Sequence, residues 1–168
     1  IPCVGGKVSL YNETDDGPIK PTPLIGVLGL IEDKPLMPQK AKTGDLVVLV
    51  GMTKDELGGS EYYEYVHGII GGKCPAVDME SSKENQAAVL DAIHQDLVKA
   101  VHDCSKGGIG VAMSEICITN EMGCHVFLDK VPSENLSPDE LLFSESHSRF
   151  LLTVEPSKIK KVKSLLEK

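Results

Sequence analysis

The chain of 168 residues has no tryptophan, only three phenylalanines and a single arginine, Arg149. Positive charge is scarce as well, because 17 basic residues stand against 25 acidic ones and leave a formal net charge of −8. A protein that neutralises the phosphates of a nucleic acid needs a basic surface, so we expect no nucleic-acid partner. No apolar run approaches the roughly 20 residues that a helix needs to span a bilayer, so we expect no membrane segment.

The five cysteines are an odd number and include no C-x-x-C pair. Zinc sites usually contain such a pair, and disulfide frameworks use an even number of cysteines. We therefore expect buried, reduced thiols in a cytoplasmic protein. Hydrophobic residues make up 41% of the chain, which is enough for a folded core and excludes intrinsic disorder.

Short apolar runs, separated by polar stretches rich in glycine and proline, predict a set of strands. The run at 45–50 (DLVVLV) is wholly apolar after its first residue, which is typical of a central strand. The stretches 12–21 and 32–44 carry prolines and charges, so we expect loops there. Strands are predicted at 8–11, 22–31, 45–50, 97–103, 125–128 and 150–154.

Capping residues and apolar periodicity predict helices between these strands. Ser81 and Glu84 form a capping-box pattern, and Ser137 followed by Pro138 marks the start of a short helix. The order of strands and helices shows no strict βαβ repeat, so we predict an α+β fold with a mixed, mainly antiparallel sheet and packed helices. Further helices are expected to begin at Ser60, at Gly107–Gly108 (ending at Gly123) and at Ser157.

Three glycine pairs lie where a strand meets a loop or a helix: Gly5–Gly6, Gly58–Gly59 and Gly107–Gly108. Glycine lets backbone N–H groups approach an anion, and a helix N-terminus adds a favourable partial charge. None of the pairs matches a P-loop or a dinucleotide fingerprint. A tight turn is the favoured interpretation of each pair, and a phosphate cradle is the alternative.

Two polar clusters offer groups for chemistry. His102 and Asp103 could serve acid–base or metal chemistry, but neighbouring strand residues point to opposite faces, which favours a structural role. Residues 144–149 (SESHSR) form the densest polar stretch and include the only arginine. A planar guanidinium suits bidentate recognition, so Arg149 either holds a phosphate or pairs with a nearby carboxylate to fix its loop.

Four motifs follow one another along the chain: 5–13 (GGKVSLYNE), 56–62 (ELGGSEY), 102–108 (HDCSKGG) and 143–149 (FSESHSR). In this order they resemble the synthetase component of the phosphoribosylformylglycinamidine synthase family, and the resemblance covers nearly the whole chain. The first and last motifs are specific to that family. The third is shared across the wider aminoimidazole ribonucleotide synthetase superfamily.

The resemblance implies an ATP-dependent carbon–nitrogen ligase of purine biosynthesis. In this family ATP activates the formyl-amide oxygen of formylglycinamide ribonucleotide, and ammonia then displaces phosphate to give the amidine, with ADP as the other product. The ammonia comes from glutamine hydrolysis in a separate glutaminase subunit or domain. A small accessory subunit is a further expected partner, and ATP and Mg²⁺ are the expected cofactors.

Matching by motif gives some residues a role. Gly6 would contact the nucleotide and Ser9 the substrate, whereas Lys7 stands where the family usually has a magnesium-binding asparagine. A protonated lysine cannot ligate a cation, so no metal ligand is assigned, and the Lys7 ammonium would neutralise phosphate charge instead. No catalytic residue is assigned. The candidates for a second or structural site are Lys7, His102, Asp103, Gly107, Gly108, Glu145, Ser146, His147 and Arg149.

The family is built from tandem domains, so the resemblance also implies a domain division. Residues 1–20 would be the terminal strand and loop of a preceding ATP-binding domain, and residues 21–168 a C-terminal partner domain. We expect such a C-terminal fragment to fold alone and to be inactive without the preceding domains. Two alternatives stay open: a non-catalytic nucleotide-binding or assembly domain of the same enzyme, and a fragment of aminoimidazole ribonucleotide synthetase.

Overall fold

The computed structural model describes residues 2–31 and 38–167. The chain separates into two compact units, Ile1–Asp33 and Lys34–Lys168. The predicted domain boundary between residues 20 and 21 stays a prediction. Part of the predicted loop at 32–44 lies outside the described residues, and the remainder forms neither helix nor strand.

The N-terminal unit contains one small hairpin. Strands β1 (Glu13–Thr14) and β2 (Gly17–Pro18) pair antiparallel, with Glu13 opposite Pro18 and Thr14 opposite Gly17. Gly17 has a φ of 121°, a conformation that glycine adopts far more readily than other residues, and so permits the tight turn between them.

The predicted strands at 8–11 and 22–31 are wrong, because neither segment forms a strand. Their apolar side chains are almost fully exposed: Leu10 is 96%, Leu24 98% and Leu28 100% accessible. An apolar pattern measures how well a segment suits burial, whereas a strand also needs a neighbour to bond its N–H and C=O groups. The described residues of this unit offer these two segments no such neighbour.

The C-terminal unit is built on a three-stranded antiparallel sheet. Its strands β3 (Leu46–Val50), β4 (Ala100–Asp103) and β5 (Phe150–Val154) stand in the spatial order β3–β5–β4. The strand predictions at these three places are confirmed, although β4 is shorter than expected. The expectation that β3 is a central strand is wrong, since β5 lies in the middle. A wholly apolar run indicates that both faces of a strand are covered, but not how many strands flank it.

The described part of this unit also contains helices on both faces of the sheet. Their order along the chain alternates irregularly with the strands, as expected for an α+β fold. The helices are α1 (Glu61–His67), α2 (Met79–His94), α3 (Gly108–Asn120), α4 (Pro138–Phe143) and α5 (Ile159–Leu166).

Each face of the sheet has its own apolar cluster. On one face, Leu152 and Val154 pack with α2 and α5, whose Ala92 and Val162 are fully buried. On the other face, Leu151 packs against α3. These layers confirm the predicted α+β fold, a mainly antiparallel sheet with packed helices. Among the described residues, no helix is both long enough and apolar enough to cross a membrane.

Two of the predicted helix starts are confirmed by their capping bonds. The Ser60 hydroxyl accepts a hydrogen bond from the Tyr63 N–H at 3.2 Å, where α1 begins. At α4, Ser137 and Glu140 form a reciprocal capping box, and Pro138 occupies the first helical turn. Both signals are local in sequence, which is why they could be identified without the fold.

The predicted start of α2 is wrong by one turn. Asp78 is the N-cap, and its carboxylate accepts from the N–H groups of Glu80 and Ser81 at 3.1 Å each. The Ser81–Glu84 pattern therefore lies inside the helix. An aspartate accepts these N–H bonds as well as a serine does, and here it is placed one turn earlier.

Three further boundaries differ from expectation. Helix α3 ends at Asn120 rather than at Gly123, because Glu121 takes a left-handed conformation with a φ of 53°. Helix α5 is capped at Lys158 rather than Ser157. The predicted strand at 125–128 is absent from the structure, which has a 3₁₀ turn at Leu128–Lys130 in that region.

Candidate functional site

A groove of about 750 Å³ lies where β4 ends, beside the loop that leads into α3. The loop after α4 and the N-terminal part of α2 form its other walls. The motifs at 102–108 and 143–149 meet here, although they are well separated in sequence. Its charged and titratable lining includes Lys83, Asp103, Lys106, Glu145, His147 and Arg149.

Glu145 ties three parts of this groove together. One carboxylate oxygen, Oε1, accepts hydrogen bonds from the Gly107 N–H at 2.8 Å and the Glu61 N–H at 2.9 Å. The Glu145 N–H donates to the Glu56 carbonyl at 3.1 Å. A carboxylate is well suited to the first turn of a helix, where N–H groups have no partner within the helix. Glu145 thus fixes the start of α1 and the approach to α3.

The glycine pair before α3 is required by backbone geometry. Gly107 and Gly108 have φ values of 74° and 60°, which disfavour residues with a side chain. A Cβ on Gly108 would lie 2.4 Å from the Ser144 carbonyl oxygen. Because the Gly107 N–H already donates to Glu145, this N–H serves an internal carboxylate in the structure.

The pair Gly58–Gly59 also marks a close backbone contact. A Cβ on Gly58 would lie 2.1 Å from the Lys73 carbonyl oxygen, and the Gly59 N–H donates to the Gly71 carbonyl at 2.7 Å. The geometry here is that of two backbone segments that cross. Gly71–Gly72, the partner in this crossing, was not singled out from the sequence, although a fourth glycine pair was a visible signal.

Arg149 is 1% exposed and holds the 144–149 loop in shape. Its Nε donates to the Ser146 carbonyl at 3.0 Å, its Nη1 to the Thr53 hydroxyl at 2.9 Å, and its Nη2 to the Ser144 carbonyl. Burial lowers the pKa of Arg149. The guanidinium thus fixes its loop, as one of the two interpretations holds, but through carbonyl and hydroxyl oxygens rather than a carboxylate.

The same loop is bonded along the segment that follows β3. The Ser146 hydroxyl accepts from the Lys54 N–H at 3.0 Å, and the Ser144 hydroxyl accepts from the Glu56 N–H at 3.3 Å. Both serines are buried. These bonds join the segment after β3 to the 144–149 loop, so the motifs at 56–62 and 143–149 lie next to each other in the fold.

Gly51 is a residue beside this loop that sequence reasoning missed. It has a φ of 94°, and a Cβ there would lie 2.7 Å from the Ser148 carbonyl oxygen. Ser148 itself has a positive φ of 58°, and the Asn85 amide of α2 donates to its carbonyl at 3.0 Å. A glycine directly after a predicted strand was the available signal. Thr53, Lys83 and Asn85 were missed as well, because isolated polar residues carry no distinctive pattern. Glu56 and Glu61 lie in the motif at 56–62, but no role was predicted for them.

The His102 ring and the Asp103 carboxylate have different partners, although the His102 Nδ1 lies 2.7 Å from the Asp103 backbone carbonyl oxygen. The His102 Nε2 lies 3.3 Å from the Glu115 carboxylate, on α3. The Asp103 carboxylate instead accepts a hydrogen bond from the Ser105 hydroxyl, and this bond lowers the pKa of Asp103. Only Asp103 lines the groove. The different partners follow from the alternation of side chains along a strand.

The groove presents positive charge from Lys83 and Lys106, both of which are exposed. Lys106 pairs with the Glu61 carboxylate, and this hydrogen bond raises the pKa of Lys106. His147 is exposed beside them and also lines a neighbouring cavity of about 60 Å³. Two ammonium groups and the Ser82 hydroxyl give the groove the donors that a phosphate needs.

Gly6, Lys7 and Ser9 belong to the N-terminal unit, where all three are exposed and lie outside any helix or strand. The Ser9 hydroxyl donates to the Tyr11 carbonyl at 3.4 Å, and the Asn12 amide donates to the Ser9 carbonyl at 2.7 Å. The roles expected for these residues stay predictions.

Comparison with known proteins identifies the domain type. The family model described as AIR synthase related protein, C-terminal domain, matches residues 42–168. The match includes every residue of the groove.

Curated relatives extend the similarity to the N-terminal unit. Phosphoribosylformylglycinamidine synthase subunit PurL of Thermococcus sibiricus is 48% identical over 167 residues, which is 98% of this chain. The same subunit of Methanococcus aeolicus is 43% identical over 166 residues, or 96% of this chain. This chain spans 23% of the length of each of these relatives.

Solved structures agree on the fold. Thermotoga maritima PurL complexed with FGAR superposes with a TM-score of 0.71 at 24% identity, over 80% of this chain and 24% of that chain. The structure of PurLQS from the same organism gives a TM-score of 0.60 at 25% identity, over 76% of this chain and 20% of that chain.

Proposed function

The chain belongs to the family of AIR synthase related proteins, through their C-terminal domain, and we propose that it is part of the synthetase component of phosphoribosylformylglycinamidine synthase. The observation that carries this proposal is the 42–48% identity with PurL subunits over 92–99% of the chain. The alternative of an aminoimidazole ribonucleotide synthetase fragment is supported only by the domain family that the two enzymes share.

The proposed enzyme joins ammonia to formylglycinamide ribonucleotide. The formyl-amide oxygen attacks the γ-phosphorus of ATP and ADP leaves; ammonia then adds to the activated carbon, and phosphate departs with the former amide oxygen. A glutaminase subunit or domain would supply the ammonia in the cytoplasm, with a small accessory subunit as further partner. A solved assembly named PurLQS contains a chain similar to this one, which supports such partners.

For the groove we propose that it binds the phosphates of a nucleotide. Lys83 and Lys106 would meet the negative charge, and the Ser82 hydroxyl would donate to a phosphate oxygen. The T. maritima PurL structures complexed with ATP, AMPPCP and ADP support a nucleotide as the ligand class. Glu145 would act indirectly, by holding the 104–107 loop in place.

A second candidate function is nucleotide binding without catalysis. His102 and Asp103 have separate partners, and the groove's described lining contains no imidazole hydrogen-bonded to a carboxylate. General acid–base catalysis commonly needs a proton-transferring group held by such a partner. This observation favours a structural nucleotide or assembly role for the groove within the parent enzyme.

The described residues form no magnesium site built from protein ligands alone. Within residues 2–31 and 38–167, no three His, Cys, Asp or Glu side chains come together as metal ligands would. Lys7 replaces the asparagine that the family resemblance would make a ligand, and an ammonium group cannot coordinate a cation. No step of the proposed reaction is therefore assigned to a metal held by this chain.

Calorimetric titration with ADP tests the binding proposal. We expect the chain to bind ADP, and we expect Lys83→Met with Lys106→Met to abolish binding without loss of folding. Lys160→Met, which removes an exposed lysine of α5, is the matched control and should leave the affinity unchanged. Undiminished ADP binding by the double variant would contradict the assignment of the groove.

The catalytic proposal is tested in a chimera, because this chain spans only 23% of the length of T. sibiricus PurL. The chain is exchanged for the matching segment of T. sibiricus PurL, and ADP release is measured with formylglycinamide ribonucleotide and ammonia. A chimera as active as its parent supports a role within this enzyme, and the isolated chain should show no turnover. If Lys83→Met with Lys106→Met leaves turnover of the chimera intact, the structural role of the groove is supported instead.

A further inference from the structure

Two cysteines lie near the end of α3 that is opposite the groove. Cys117 lies in the last helical turn, and Cys124 follows a few residues after the helix. Both line a second cavity, of about 590 Å³, beside the edge strand β3. Burial and the neighbouring Cys124 thiol raise the pKa of the Cys117 thiol.

The way the helix ends brings these two side chains together. Glu121 has a left-handed φ of 53°, and the Met122 N–H donates to the Cys117 carbonyl at 3.0 Å. The chain therefore turns back over the last helical turn, and Cys124 lines the same cavity as Cys117. A Cβ on Gly123 would have no neighbour within 4 Å, so the connecting segment has room to adjust.

We propose that Cys117 and Cys124 form a reversible disulfide and that this end of α3 is a site of oxidation by small disulfides such as glutathione disulfide. The Cys124 thiol, the more exposed one, loses its proton and attacks a glutathione sulfur, so that one glutathione leaves and a mixed disulfide forms. Cys117 then loses its proton and attacks the Cys124 sulfur. The second glutathione leaves, and two protons and two electrons have passed to the oxidant.

The remaining cysteines provide an internal comparison. Cys104 is buried, so glutathione disulfide cannot reach its thiol, and burial raises the pKa of that thiol to about 11. Cys3 and Cys74 are exposed. They can form mixed disulfides with glutathione, but they are far in sequence from Cys117 and Cys124. Their reaction therefore measures the reactivity of an exposed cysteine outside the proposed pair.

Disulfide formation would have a local structural effect. The bond would close a short loop and tie the segment after α3 to its last turn, next to the 590 Å³ cavity. A short closed loop restricts the unfolded chain, so we expect the melting temperature to rise by about 5 °C.

Peptide mapping tests the pairing directly. The folded chain is treated with glutathione disulfide, alkylated and digested without reduction by a protease that cleaves after glutamate. Cleavage after Glu115, Glu121 and Glu134 separates the two cysteines into peptides 116–121 and 122–134. We expect these peptides to be recovered joined, and dithiothreitol to release them. The tryptic peptide 107–130, which carries both cysteines, should become lighter by two hydrogen atoms.

Matched variants distinguish this pair from general thiol reactivity. Cys117→Ser and Cys124→Ser should each leave the partner cysteine carrying glutathione, whereas Cys74→Ser should not change the yield of joined peptides. The link should form about tenfold faster in the folded chain than in urea, because the fold holds the thiols together. Equal rates in both conditions, or separate peptides that each carry glutathione, would overturn the proposal.

Discussion

Replacing Glu145 by alanine should loosen the groove from within. The carboxylate oxygen Oε1 is the acceptor for the N–H groups of Gly107 and Glu61, at 2.8 and 2.9 Å. With alanine both N–H groups lose their partner, at the start of α1 and on the approach to α3. These two N–H groups would then need water as their hydrogen-bond acceptor. Water can reach them only from the solvent-facing part of the site.

The size of the effect follows from the type of bond. A hydrogen bond to a charged group contributes about 1.5–3 kcal/mol, and two such bonds are removed here. Glu145 is partly exposed, so water replaces some of this loss. We expect Glu145→Ala to lower the free energy of unfolding by about 3 kcal/mol. Glu145→Gln, whose amide oxygen still accepts, should cost about 1 kcal/mol.

Urea denaturation and hydrogen exchange together measure this prediction. The amide protons of Gly107 and Glu61 should lose protection in Glu145→Ala, while those of the central strand β5 change only with global stability. Glu134→Gln, which alters an exposed glutamate, is the control and should be neutral. Substitutions at neutral surface positions change the free energy of unfolding by up to about 0.5 kcal/mol. If the free energy of unfolding of Glu145→Ala differs from that of the wild type by less than this, the prediction is wrong.

Other substitutions probe the same architecture. Arg149→Lys keeps the charge but cannot reach three acceptors from one buried position, so urea denaturation should show a loss of about 3 kcal/mol; a loss below 1 kcal/mol, smaller than a typical single substitution, would contradict this role. Gly58→Ala would place a Cβ 2.1 Å from the Lys73 carbonyl oxygen, and thermal melting should show clear destabilisation, whereas Gly123→Ala, with open space around it, should not. At Asp45, burial is the largest single influence and would raise the pKa, but the hydrogen bonds from Lys99 and from the Lys42 N–H, together with the charges of both lysines, outweigh it, and the pKa of Asp45 is lowered. Stability from this ion pair should therefore be present above pH 4 and decline below it, as the carboxylate is protonated. In melting temperatures measured across a pH series, Asp45→Asn should reduce the loss of stability below pH 4. If the loss is as large as in the wild type, groups other than Asp45 cause it.

Helix starts and strands were predicted correctly where a few neighbouring residues determine the local structure. The capping box at Ser137, the cap at Ser60 and the apolar run of β5 needed no knowledge of the rest of the chain. The resemblance of the motifs also placed the chain in the right family. The expected strands at 8–11 and 22–31 failed for the opposite reason, because strand formation depends on a partner that a local pattern does not reveal.

The contacts that build the groove could not be predicted, because most of them use the backbone. Glu145 was a candidate from its polar surroundings, but its partners are N–H groups, which nearly every residue possesses. Arg149 stood out as the single arginine, and yet two of its three acceptors are backbone carbonyls. A sequence identifies the unusual side chain in each case. The partner of that side chain can be identified only once the fold brings distant segments of the chain together.

These backbone contacts also constrain how the groove can hold a nucleotide. The Gly107 N–H, the donor that a glycine-rich phosphate loop would offer, is already bonded to Glu145 at 2.8 Å. In the proposed complex, phosphate oxygens would then be met by side chains, chiefly the exposed ammonium groups of Lys83 and Lys106. Point charges on flexible side chains recognise charge more than shape, because they lack the fixed geometry of a backbone cradle. A groove built in this way suits a nucleotide that stays bound and stabilises the assembly better than one whose γ-phosphate must be aligned for transfer.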